Sequence, residues 1–196
     1  GVEDREFILK KSVESIKAEF DFIIIDCPPS LNTLTVNAMT TADSVLVPIQ
    51  CEFYALEGLS QLIHTINLVK QRLNPDLKIE GVVFTMFDAR TNLSLEVVEN
   101  VRGNLEQKIY NSIIPRNVRL AESPSHGLPI NLYDSKSAGA EAYRYLADEV
   151  INLNNDVAKS SKGKKGNKGE GTKKLSTKKE TMREKAAKIS LFKKRK

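Results

Sequence analysis

An aspartate that ends an apolar run is the first residue of this sequence with an evident chemical use. The run Phe22–Ile25 is continuous and rich in isoleucine, and Asp26 follows it directly. Such a run is typical of a strand buried on both faces of a parallel sheet, whose carboxyl end lies at the ligand-binding edge. A carboxylate there can hold Mg²⁺, often through a water molecule, because Mg²⁺ prefers oxygen ligands. The alternative is that Asp26 only caps the next helix.

Two prolines after this aspartate favour the functional interpretation. Pro28 and Pro29 stiffen the loop that follows Asp26. Loops of this kind can sense the γ-phosphate of a bound nucleotide. We therefore expect Asp26 to act with Mg²⁺ beside nucleotide phosphates.

Alternating helices and strands along the sequence position the ligand-binding edge of the predicted sheet. The hydrophobic pattern predicts helices over about 5–19, 31–39, 54–73, 92–108 and 138–153, and strands over 22–25, 44–49, 79–86 and 109–114. This alternation indicates an α/β fold with a mostly parallel β-sheet and helices on both faces. Because ligands bind outside the carboxyl ends of such strands, we expect the site among residues 26–32, 50–58, 87–91 and 115–126.

Six segments of the sequence resemble ParA/Soj-type chromosome and plasmid partitioning ATPases, which are P-loop nucleotide hydrolases. They follow the family's order over residues 5–152, as 22–31, 47–59, 85–92, 113–119, 122–129 and 133–141. The first segment resembles the Walker B and switch II region of that family. The cell-division MinD branch is similar but more distant.

The resemblance implies ATP and Mg²⁺ as cofactors and an ATP-dependent homodimer. It also implies binding to DNA without sequence preference, and a ParB-type centromere-binding partner that stimulates hydrolysis during segregation. The expected location is the cytoplasm, in association with the nucleoid.

Individual residues take roles from the same resemblance. Asp26 matches the Walker B aspartate, linked to Mg²⁺, and Pro115 and Asn117 match a loop that contacts the adenine end of the nucleotide. Pro115 has the alternative role of ending a strand.

Two arginines match residues associated with DNA binding in the Soj branch. They are Arg90 and Arg119, and guanidinium groups suit phosphate contacts, which set affinity without reading sequence. The alternative is that both are ordinary surface arginines. Glu52 and Glu57 can face a dimer partner, which the sequence does not decide.

The remaining reactive side chains do not form a catalytic set. His64 lies in a predicted helix, where a surface or packed position is expected, and His126 lies in a loop before a glycine, where local hydrogen bonding is expected. Cys27 and Cys51 lack the spacing of a disulfide framework or zinc site. No neighbouring base supports a nucleophilic thiol.

The charge of the chain is divided between a body and a tail. The net +5 combines −8 over residues 1–157 with +13 over residues 158–196. We therefore predict an ATPase domain over 1–157 and a Lys-rich, disordered tail over 158–196, in which 182–196 can form a short basic helix. The tail can contact nucleic acid, serve as a solvated spacer or touch an anionic membrane, the last being the least favoured.

The sequence favours a soluble intracellular protein. It has no apolar run of the 18 or so residues that a membrane span needs, and its first residues do not resemble a secretory signal. The first residue is Gly1 rather than methionine, which suggests that the native start is missing.

The family's phosphate-binding loop is not found in these 196 residues. The Gly/Lys-rich run 163–173 has neither the required spacing nor a preceding strand. The simplest expectation is a fragment of the ATPase, whose strand 22–25 lacks its central neighbour and forms an aggregation-prone edge. The alternatives are a non-enzymatic, DNA-associating or dimer-modulating paralogue, and a MinD-like, membrane-associated positioning ATPase.

We expect the purified 196-residue chain to hydrolyse no ATP, because backbone amides and the lysine of a phosphate-binding loop normally cradle the phosphates. Phosphate release is to be compared with a mock purification from cells without the protein. Turnover above that background would contradict the prediction.

Overall fold

A computed structural model describes residues 5–28 and 32–163, with side chains described as far as residue 155. The helices are α1 Ile8–Glu14, α2 Thr33–Thr41, α3 Ala55–Arg72, α4 Asn92–Asn104, α5 Val118–Glu122, α6 Ile130–Tyr133 and α7 Ala138–Gly163. The strands are β1 Ser44–Gln50, β2 Lys78–Phe87 and β3 Ile109–Pro115, and short 3₁₀ turns span Arg5–Phe7, Lys17–Glu19 and Ser123–His126. No helix in these described ranges is long and apolar enough to cross a bilayer.

The three strands form a parallel sheet in the order β1-β2-β3. Helix α3 connects β1 to β2, and α4 connects β2 to β3. In the register of the sheet, Val47 pairs with Val82 and Phe84 pairs with Ile113. This confirms the parallel α/β fold predicted from the sequence.

The core lies on both faces of β2, because successive residues of a strand point to opposite sides. Val82 and Phe84 are fully buried on one face, in a cluster with side chains of α2, α3 and α4. Val83 lies on the other face with Tyr110 and Ile114, against apolar side chains of α7. Helices therefore cover both faces of the sheet, as the sequence predicts.

The prediction of a strand over 22–25 is wrong for this structure. Residues 22–28 form neither helix nor strand, and Ile24 is 92% exposed. A strand requires a neighbour that pairs with its backbone N–H and C=O groups, and none of the described strands pairs with this segment. The apolar side chains Phe22, Ile23 and Ile24 are consequently exposed, and the aggregation predicted for this segment stays a prediction.

Three other predictions need correction. The helix predicted over 5–19 is divided into α1 and two 3₁₀ turns, and the helix predicted to residue 108 ends at Asn104. The chain divides into two units after Asn154. Within the second unit α7 continues to Gly163, so the disorder predicted from Ala158 is wrong for residues 158–163. Residues 164–196, including the predicted basic helix, lie outside the described residues.

We expect Gly81→Ala to destabilise the fold by about 1–3 kcal/mol, because overpacking forces side chains or backbone to move. A Cβ at Gly81 would lie 2.7 Å from Cε2 of Tyr110, which is fully buried, and 3.2 Å from the carbonyl oxygen of Lys108. The free energy of unfolding is to be measured in urea.

The matched control is Gly58→Ala in helix α3, where an added Cβ meets no atom within 4 Å. Alanine is the better helix former by about 1 kcal/mol, so this variant should be unchanged or more stable. Equal stability of the two variants would contradict the assigned packing of β2.

Candidate functional site

The carboxyl ends of β2 and β3 border a depression of about 540 Å³. It is lined by the end of β2 and the residues after it, from Phe87 to Arg90, and by the end of β3 and the start of α5, from Pro115 to Arg119. Four of the five site residues predicted from the sequence therefore line one depression, namely Arg90, Pro115, Asn117 and Arg119.

A residue with a left-handed backbone conformation directly precedes the part of β2 that lines this depression. Met86 has φ of 53°, a conformation that residues other than glycine adopt rarely. The pairing of β2 with β3 shifts register between Phe84 and Phe87, and Phe87 pairs with Pro115. The carbonyl oxygen of Phe87 then accepts a hydrogen bond from the backbone N–H of Arg116 at 2.9 Å. This bond joins the two segments that line the depression.

Arg90 is held by a carboxylate two residues earlier. Its Nε donates to Oδ1 of Asp88 at 2.9 Å, and its Nη2 donates to Oδ2 at 2.7 Å. The hydrogen bond from the Arg90 side chain holds the pKa of the Asp88 carboxyl well below its usual range, with support from the Arg90 backbone N–H. The Arg90 side chain is still 85% exposed, so its remaining N–H groups face solvent.

Arg119 is held by a larger set of groups. Its Nη1 donates to Oε2 of Glu122 at 2.9 Å, and its Nε lies 3.5 Å from Oδ2 of Asp134. The hydroxyl of Tyr133 donates to the same Glu122 oxygen at 3.1 Å. The hydrogen bond to Glu122, followed by an interaction with Tyr133, raises the pKa of Arg119. The side chain keeps 55% of its surface exposed.

Arg116 is a third arginine of the depression and is not among the site residues predicted from the sequence. Its Nη2 lies 3.6 Å from Oε1 of Glu52, in the segment that follows β1. Glu52, which on its sequence position can face a dimer partner, here pairs with an arginine of its own chain. The signal in the sequence that could have identified Arg116 is its position between Pro115 and Asn117, two of the predicted site residues.

Pro115 and Asn117 have structural roles at this edge. Pro115 is the last residue of β3. Oδ1 of Asn117 accepts hydrogen bonds from the backbone N–H of Arg119 at 2.9 Å and of Leu120 at 3.3 Å. Asn117 is therefore the N-cap of α5, and a contact with adenine stays a prediction for both residues.

Asp26 does not line the depression. It is exposed, in the segment 22–28 that no strand pairs with. The described residues contain no group of three or more His, Cys, Asp or Glu side chains suited to a metal ion. A single carboxylate still fits Mg²⁺ when phosphate oxygens and water supply the other ligands, which is a common arrangement for this ion. Its role therefore stays a prediction.

The cysteines and His126 do not form a catalytic set. Burial raises the pKa of the Cys51 thiol to about 11. Desolvation, and secondarily the charge of Asp26, raises the pKa of the exposed Cys27 thiol. Both shifts disfavour the reactive thiolate. The ring of His126 stacks on Tyr133 with 4.8 Å between ring centroids, a ring contact that its sequence position did not predict.

The parallel sheet, the helices on both faces and the site at the carboxyl edge define a P-loop NTPase-like fold of the ParA/MinD class. The family model of the AAA domain matches residues 1–79. Cobyrinic acid a,c-diamide synthase from Mycobacterium smegmatis, solved with an ATP analogue and magnesium, is 39% identical with a TM-score of 0.63, covering 76% of this chain and 54% of that one. The cell division ATPase MinD from Pyrococcus furiosus is 26% identical with a TM-score of 0.62, covering 76% and 59%.

The sequence relatives define the family more narrowly. The sporulation initiation inhibitor protein Soj of Bacillus subtilis is 60% identical over 146 residues, which are 74% of this chain and 58% of Soj. The chain is thus homologous to the Soj/ParA chromosome-partitioning ATPases, which confirms the resemblance found in its motifs. It spans less than two thirds of the length of that relative.

Proposed function

We propose that this chain is part of a Soj/ParA-type ATPase that binds ATP with Mg²⁺ and binds DNA without sequence preference as a dimer. With a ParB-type partner it acts in the segregation of chromosome or plasmid DNA. The observation that carries the proposal is the depression at the sheet edge, where Arg90 and Arg119 lie beside Pro115 and Asn117.

The nucleotide part of the proposal is supported by the solved relative that holds an ATP analogue and magnesium. In this chain Pro115 and Asn117 would hold the base. Asp26 would hold Mg²⁺ through its carboxylate, and bound Mg²⁺ supplies charge neutralisation for the phosphates. The Asn117 cap uses Oδ1, which leaves the amide NH₂ group of this side chain available, as far as the described residues show, to donate to a base nitrogen.

The DNA part of the proposal is supported by the three arginines of the depression. The side chains of Arg90, Arg116 and Arg119 are each more than half exposed. Each is already paired with a carboxylate. The pairs of Arg116 with Glu52 and of Arg119 with Glu122 are exposed, and such pairs contribute typically about 0–1 kcal/mol, so a phosphate can compete for these guanidinium groups. The Arg90 side chain is 85% exposed and keeps N–H groups that face solvent. Such contacts fix affinity without reading sequence.

Dimerisation would strengthen this weak contact. The body of the chain, residues 1–157, carries a net charge of −8, so its overall field repels DNA. A dimer presents two sets of arginines to one duplex. Because the two sets are linked, their combined avidity exceeds the affinity of either set alone. Loss of the dimer would then release the DNA, as a segregation cycle requires.

We expect Arg90→Ala and Arg119→Ala each to weaken binding to a duplex of arbitrary sequence and to make it less salt-dependent. Each lost phosphate contact should lower the slope of log K against log salt by about 0.9. Binding is to be measured by fluorescence anisotropy over a salt series, with two unrelated duplexes.

The matched control is Arg102→Ala, which removes an exposed arginine from the last turn of α4, away from the carboxyl edge. It changes the net charge by the same amount and should leave the salt slope unchanged. If the three variants lose affinity equally, the arginines act only through net charge and the proposed DNA surface is wrong.

A further inference from the structure

Helix α5 presents Arg119 but is too short to be stable alone. It has five residues, from Val118 to Glu122, and none of them is buried. Isolated helices shorter than about 12 residues are marginal in water, because nucleation fixes several dihedral angles for one hydrogen bond. The orientation of Arg119 must therefore depend on the contacts at the ends and on one side of α5.

The first of these contacts is the side chain of Asn117. This residue has the extended backbone of an N-cap, with φ of −142° and ψ of 127°. Its Oδ1 accepts from the backbone N–H of Arg119 at 2.9 Å and of Leu120 at 3.3 Å. One of the two amides that the cap fixes is therefore that of Arg119 itself.

The second contact joins α5 to the start of α7. A Cβ placed on Gly139 would lie 2.5 Å from Cγ of Leu120, so these two residues approach as closely as glycine permits. Ser123, the residue after α5, is buried, and its hydroxyl donates to the carbonyl oxygen of Leu120. These contacts fix the position of α5 on the body, while the cap fixes its first turn.

The third set of contacts orients the guanidinium group. Glu122 and Asp134 pair with Arg119, and Tyr133 donates to Glu122. The side chain thus emerges from a fixed backbone and is held in a fixed direction. Its partly exposed surface lines the depression at the carboxyl edge.

We propose that Asn117 is a positioning residue for DNA binding, which acts by capping α5 and so holds Arg119 in the orientation that meets a DNA phosphate. This rests on the proposed function, in which Arg119 contacts DNA. The role differs from a contact with the nucleotide base, because the cap uses Oδ1 of Asn117 and requires no nucleotide.

A double-mutant cycle in the 196-residue chain tests this inference. We expect Asn117→Ala to weaken DNA binding roughly fivefold, the factor that loss of a typical cap corresponds to. In the Arg119→Ala background the same substitution should have no further effect, because the group that it positions is gone. In the Arg90→Ala background it should keep its full effect, since Arg90 pairs with Asp88 and, among the described residues, shares no hydrogen-bond partner with Asn117, and independent sites are additive. The charged tail is present in every variant, so its contribution cancels.

Two further variants separate capping from general damage. Asn117→Ser retains a good capping oxygen and should restore DNA affinity, whereas Asn117→Gln keeps an amide but is a poor cap and should behave like alanine. Hydrogen exchange of the Arg119 and Leu120 amides should be faster in the alanine and glutamine variants and near normal in the serine variant. If Asn117→Ala does not fold, the serine and glutamine pair carries the comparison.

The outcomes distinguish this inference from the function on which it rests. Unchanged DNA affinity and salt slope in Arg119→Ala would overturn the proposed DNA contact. If Arg119→Ala weakens binding but Asn117→Ala does not, or if the two losses add in full, the positioning role is overturned while the DNA contact stands. Failure of serine to restore affinity would also count against the cap.

Discussion

The burial of β2 on both faces is the constraint on which the rest of the structure depends. Val82 and Phe84 on one side and Val83 on the other are removed from water, so apolar helices must cover both faces of the sheet. The strand is also hydrogen-bonded along both edges, to β1 and to β3. Its carboxyl end is consequently fixed between the two neighbouring loops.

The depression follows from that placement. After the left-handed Met86, the chain leaves the sheet at Phe87, whose carbonyl oxygen holds the backbone of Arg116. The segments that carry Arg90 and Arg119 thereby line one surface, although they are far apart in sequence. A parallel sheet brings together residues that follow different strands, which is why its carboxyl edge binds ligands so often.

The pairing of each arginine with a carboxylate bears on the proposed binding of DNA by an acidic body. Asp88 holds Arg90, Glu52 lies near Arg116, and Glu122 with Asp134 holds Arg119. These ion pairs order the arginine side chains, and the carboxylates lower the local positive charge. For the proposed DNA contact, the affinity should therefore be modest and strongly dependent on salt.

Hydrophobic periodicity was sufficient to predict the elements of the core. Strands β1, β2 and β3 and helices α2, α3, α4 and the first part of α7 follow from it, because their apolar positions repeat at the period of the structure they form. The segment 22–25 was not placed correctly, since pairing depends on a neighbouring strand rather than on the segment's own composition. Helices α5 and α6 were missed because both are short and bury no residue.

The site was predictable to a similar extent. The rule that ligands bind at carboxyl ends, together with the family resemblance, predicted Arg90, Pro115, Asn117 and Arg119, which line one depression in the structure. Their partners Glu122, Tyr133 and Asp134 were not identified, because side-chain pairing depends on rotamers and on the path of α5 and α6. The cap formed by Asn117 has a recognisable sequence signal, an asparagine before a short helical segment, which was interpreted only as a base contact.

Site-specific photo-crosslinking is the most direct test of the claim that this sheet edge binds DNA. A photoreactive residue in place of Val118, which is 71% exposed and lines the depression, should crosslink to duplex DNA of any sequence, and high salt should abolish the product. The same residue in place of the partly exposed Leu68, near the far end of α3, should give little product. Equal crosslinking from both positions, or none from Val118 while the chain is bound to DNA, would contradict the account.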